Sequence, residues 1–132
     1  MELNKALFVA MVICLTSTLT FAMALKIEEA SQAQKNIIQA ALGDKYLISK
    51  IAAIKSGSHS KAYYVGAVFH AKGVGNVTGI WLVGGDKNAP SLVYSVDGSA
   101  HQFSGMRKAS ETKASATIAD PEAKALKNYL GN

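Results

Sequence analysis

The chain carries a single cysteine, Cys14, in 132 residues. One thiol excludes an internal disulfide framework and any zinc or iron–sulfur site built from the chain's own cysteines. Charge is sparse: 17% of residues are charged and 49% are hydrophobic, which excludes an intrinsically disordered chain. The length leaves no room for a TIM barrel or a two-domain dehydrogenase and suits one domain. Catalytic signatures are missing too. There is no G-x-S-x-G nucleophile elbow, and the glycines between Gly73 and Gly85 do not form G-x-G-x-x-G. No internal repeat is visible. No dense basic run with interleaved aromatics is present, so nucleic acid is not an expected partner. No cofactor is expected.

What is present begins at the amino terminus. Residues Ala6 to Leu25 carry no charge, with Lys5 before them and Glu2 partly offsetting it. The densest apolar run, Ala6 to Leu15, has the length of a signal-peptide h-region. A more polar piece with Thr16, Ser17, Thr18 and Thr20 leads to Ala22-Met23-Ala24, the A-x-A pattern of signal peptidase sites. Residues 1–24 are therefore predicted as a signal peptide, with Ala22 and Ala24 marking the cleavage site. The competing reading keeps residues 6–25 as an uncleaved anchor, since a helix of that length rises ~30 Å. Either way residues 25–132 are predicted as a single domain outside the cytoplasm, periplasmic or secreted in the first case, tethered to the membrane in the second. Cys14 follows Met11-Val12-Ile13 and lacks the small residue that a lipobox places before its cysteine. Cleavage would remove the only thiol. It would keep the net charge at +5, because Glu2 and Lys5 leave together.

The domain is predicted to be α+β: an N-terminal helix, an antiparallel β-meander of three or four strands, a short helix and a C-terminal helix. Over Lys26 to Leu42, Ile27, Ala30, Ile37, Ile38, Ala41 and Leu42 share one side of a helix. Glu29, Gln32, Lys35, Asn36 and Gln39 share the other, and Gly43 stands at the C-cap. Strands are expected at Tyr46–Lys55, Ala62–Lys72, Val77–Val83 and Ser91–Val96. Residues 104–119 read as a mobile connection of Ser, Ala, Thr and Lys. Asp120-Pro121-Glu122 then starts a helix that Gly131 closes.

A hairpin about Gly73 to Asn76 would set Lys72 opposite Val77. One face would then carry Val65, Ala67 and Phe69 with Ile80, Leu82 and Gly84. The other would carry Tyr64, Gly66, Val68 and His70 with Gly79, Trp81 and Val83. Both faces are apolar, so both need a cover. Tyr64, Val68, His70, Trp81 and Val83 are the candidate interaction surface, to be covered by the tail, a partner or a ligand. Gly66 and Gly79 lie inside strands, where glycine admits a close neighbour such as the Trp81 ring.

Three histidines, His59, His70 and His101, show no H-x-H or H-x-x-x-H spacing, so no metal site is expected. His70 and His101 could meet near one sheet edge with Asp97, which defines a hydrolase alternative. Asn76-Val77-Thr78 is a formal glycosylation sequon. The basic residues Lys45, Lys50, Lys55 and Lys61, with Arg107, Lys108 and Lys113, are thinly spread. They suit a weak attraction to an anionic membrane surface or another envelope component.

The segment Val93 to Ser104, VYSVDGSAHQFS, with Ala62-Tyr63-Tyr64-Val65-Gly66-Ala67 and Ile80-Trp81-Leu82-Val83, resembles a pattern in small exported bacterial proteins of uncharacterised function. The likeness covers residues 49–104 and implies no activity. It implies a short helix over Asp97 to Ser104, with Ala100 and Phe103 turned inward. The reading favoured from sequence is an exported, non-catalytic binding or interaction module. The alternatives are the hydrolase and a membrane-anchored accessory subunit.

Overall fold

A computed structural model describes residues 25–131. The signal-peptide and anchor readings, with Ala22 and Ala24, lie outside the described residues. Among the described residues no helix is long and apolar enough to cross a membrane.

The fold is α+β. Five antiparallel strands follow one another in chain order: β1 (Glu28–Glu29), β2 (Ile48–Lys55), β3 (Ala62–Ala71), β4 (Gly75–Asp86) and β5 (Ala89–Ser95). Among the described residues three α-helices accompany them: α1 (Gln32–Leu42), α2 (Gly98–Ser104) and α3 (Pro121–Leu130). The first element of the described residues is a strand, and the helix expected from Lys26 follows it. Glu28 and Glu29 pair with Ala53 and Ala52, and the helix begins only at Gln32. Its start is set by a capping box: the Ser31 hydroxyl accepts from the Gln34 amide, and the Gln34 side chain accepts from the Ser31 amide. Gly43 ends it at a positive φ, as expected.

The sheet is a central layer covered on both sides. On one face α1 and α2 close over Ala53, Val65, Ala67, Phe69, Trp81 and Val83. On the other, α3 and the segment before it close over Ala52, Ile54, Tyr64, Ile80 and Leu82. Residues 104–119 are thus not a loose connection. Ala109 and Ala116 are fully buried against the sheet, and Ser95 is bridged to Lys108.

The β3–β4 register corrects the sequence reading. The turn is Lys72-Gly73-Val74, so Ala71 faces Gly75 and Val65 faces Trp81. The Val74 amide bonds the Ala71 carbonyl, and Gly73 and Gly75 both take positive φ. Relative to the expected pairing the offset is odd, and an odd offset turns every β4 side chain to the opposite face. Trp81 and Val83 therefore lie with Phe69, under α1 and α2. Hydrophobic alternation could not select the register because both faces are apolar. The glycine inference holds: a Cβ at Gly79 would come 2.6 Å from the Trp81 ring, and one at Gly66 would come 2.5 Å from Leu130.

Candidate binding groove

The five residues of the predicted interaction surface do not form one surface. Tyr64 and Val68 lie on the α3 face, Trp81 and Val83 on the α1 face, and His70 is exposed beside the hairpin turn. Trp81 is fully buried, and its indole N–H donates to the Ser104 hydroxyl at 3.1 Å. Phe69 packs between Trp81, Tyr46 and Phe103, with ring centroids 5.3–6.4 Å apart. This is core packing.

The hydrolase trio is not assembled either. Asp97 Oδ1 accepts from the Ala100 amide at 2.9 Å and the Ile80 amide at 3.2 Å, and Oδ2 accepts from Lys127 Nζ at 2.9 Å. It is the N-cap of α2, the short helix implied by the resemblance, with Ala100 buried and Phe103 packed inward. His101 Nδ1 is held at 2.9 Å by the Met106 carbonyl. His70 sits four residues along β3 from Gly66, which pairs with the Asp97-bonded Ile80. At strand rise that is about 13 Å, beyond any shared hydrogen bond.

His59 belongs to a different cluster. Its Nδ1 lies 3.0 Å from Ser56 Oγ and 3.1 Å from Ser58 Oγ, and its Nε2 donates to the Ala114 carbonyl. That tautomer lets Nδ1 accept a hydroxyl proton, which is the geometry of a serine–histidine pair. Ser56 is a poor nucleophile all the same. It is 8% exposed, and its oxygen already accepts the Ser58 and His59 amides. The cluster instead ties the β2–β3 loop to the segment before α3. Nearby, the Tyr64 hydroxyl donates to Asp120 Oδ2 at 2.5 Å. Burial, then that bond, raises the Tyr64 phenol well above its ordinary range. Asp120 begins α3 as expected, yet its carboxylate bonds Tyr64 and Thr117 and not the helix amides.

A groove of about 470 Å3 lies between α1 and β2. Gln32, Lys35, Asn36 and Gln39 of α1 line one wall, Ile48 to Ile51 of β2 line the other, and Glu29 closes an end. The volume falls in the range of small-molecule sites, about 300–1,000 Å3. These α1 residues are the polar stripe read from the sequence as a solvent face. The structure turns that stripe towards the edge of a sheet.

Along the groove β2 has an unpaired edge. β1 accompanies it only at Ala52 and Ala53, after which the chain turns away at Ser31 into α1. Ser56 bonds Ala62 of β3, so alternation turns the backbone of Ala53 towards β1 and the Ile51 N–H to the open side. A bulge falls between Ile48 and Lys50. Beyond it the Ile48 N–H points outward and is met at 3.2 Å by Gln39 Oε1, a side-chain amide where a strand carbonyl would lie. Gln39 is fixed there by its Nε2, which donates to the Gly43 and Tyr46 carbonyls. The opposite edge differs: β5 carries Pro90, and its C-terminal end is closed by the Ser95 amide bonding the Arg107 carbonyl.

Among the described residues no three His, Cys, Asp or Glu side chains converge in a way that could hold a metal. Compared with protein-family models, curated proteins and solved structures, the chain matches none.

Proposed function

We infer that the chain is an exported, non-catalytic interaction module of the cell envelope. The observation that carries the interaction reading is the open stretch of β2 from Ile48 to Ile51, lying in a groove and bracketed by β1 and Gln39. The hydrolase alternative is less well supported, since Asp97 caps α2 and His70 stands apart from it. Export rests on the charge-free run from Ala6 and on Ala22-Met23-Ala24, and the likeness of residues 49–104 to small exported bacterial proteins agrees with it.

Intact-mass measurement on the envelope and cytoplasmic fractions tests the export half. The expected product begins at Leu25 and is recovered outside the cytoplasm. Ala24→Leu should leave a longer, membrane-retained chain. A wild-type product that begins at Met1 and stays in the cytoplasm would contradict the reading.

A further inference from the structure

We propose that the groove takes an extended, acidic peptide segment of another protein, which adds as a strand to the open edge of β2. This deepens the interaction reading by naming its partner class, and it rests on that reading.

Three observations converge. First, the edge offers backbone groups to a strand. The Ile51 N–H faces the groove by alternation from the Ser56–Ala62 bond, and the Ile48 carbonyl shares the outward side of the N–H that Gln39 satisfies. Strand addition of this kind draws affinity from the main chain and specificity from alternate side chains. Second, the open stretch is bounded. β1 stops at Glu29 on one side and Gln39 stands on the other, so the edge admits a short segment and not a long sheet-to-sheet contact. Third, the charge selects the occupant. Lys35 lines the α1 wall and among the described residues makes no salt bridge, on a chain of net charge +5. Lys50 is turned the other way, its ammonium over the Tyr129 ring at 4.4 Å and donating to the Tyr129 carbonyl at 3.4 Å, so the charge offered to a strand beside α1 is that of Lys35.

The same charges argue against a second copy of this chain. Antiparallel pairing of two β2 edges about their open stretches would bring Lys50 close to its own counterpart, and like charges across a ladder are destabilising. It would also join two chains of net charge +5.

The test uses the chain as purified after expression of all 132 residues. Two capped probes are titrated against it at low salt and followed by backbone amide NMR: Glu-Val-Glu-Val-Glu and Lys-Val-Lys-Val-Lys. Each puts its charges on one face of a strand. The acidic probe is expected to shift the amides of Ile48 to Ile51 and of α1, and the lysine probe is not. Lys35→Glu, a surface change, should weaken the acidic probe about tenfold or more and admit the lysine probe. Equal response to both probes, shifts centred elsewhere, or no response at millimolar probe would overturn the proposal. So would concentration-dependent dimerisation with shifts confined to the β2 edge, which makes a second copy the occupant. These outcomes leave export untouched, because export is read separately from the mature mass.

Discussion

Single side chains in this protein are constrained by what lies within a few ångströms of them, and Gly79 is the clearest case. A methyl group there would meet the Trp81 ring at 2.6 Å, and the ring is held by Ser104 on one side and Phe69 on the other. Gly79→Ala should therefore cost ~1–3 kcal/mol, the usual range for overpacking, visible as a lowered midpoint in denaturant. Tyr64 gives a pH prediction. Its phenol is raised in the folded state above the ordinary 10.0 of the unfolded chain, because burial and the Asp120 bond favour the neutral form. The folded state thus holds that proton more tightly. The stabilisation is complete below about pH 10 and is lost progressively as pH rises towards the folded value. Tyr64→Phe should flatten that alkaline decline in thermal melts, and an unchanged decline would show that Tyr64 is not its source. At this scale the sequence was readable where the constraint is local. Gly66 and Gly79 inside strands announced close neighbours, and Gly43 announced a cap. The burial of Trp81 under α2 was not readable, because it depends on which residue of β4 stands opposite Val65.

Elements are joined in this fold by a few polar side chains at their ends. Asp97 is the most connected: its carboxylate caps α2, takes the Ile80 amide of β4 and pairs with Lys127 of α3, although its side chain is only 6% exposed. Asp97→Ala removes a cap worth ~1 kcal/mol and leaves a buried strand amide unpartnered at a further ~1–3 kcal/mol. Lys127→Ala should cost far less, under ~1 kcal/mol, because the lysine is half exposed and its pair with Asp97 is screened. Equal losses for the two variants in a urea titration would mean that the ion pair, not the backbone bonding, matters. Element types were largely legible from periodicity and turn residues: α1, β2 to β5 and α3 all stand near their expected places. Three features were not. The start of α1 is set by the spacing Ser31-x-x-Gln34, a short signal that lies inside the longer amphipathic stripe from Lys26. β1 has two residues and exists only because β2 is beside it. Residues 104–119 pack through single alanines, Ala109 at the start of a one-turn 3-10 helix and Ala116 outside any helix or strand, and such packing leaves no period to read.

At the scale of the whole molecule, the described residues form a five-stranded meander with a helical layer on each face and two unlike edges. Both apolar faces are spent on its own helices, so Trp81 is not available as the exposed anchor expected there. The β2 edge beside α1 stays open. This site could not be read from the chain, because its walls come from a helix stripe that looks solvated and from a strand whose neighbour stops two residues after it starts. The measurement that bears most directly on the account is amide hydrogen exchange in the free protein. Ala53 bonds β1 and Ala52 bonds β3, so both should be strongly protected, while the Ile51 amide between them and the open edge should exchange much faster. An Ile51 amide as slow as that of Ala53 would show the edge already closed and would contradict the binding groove.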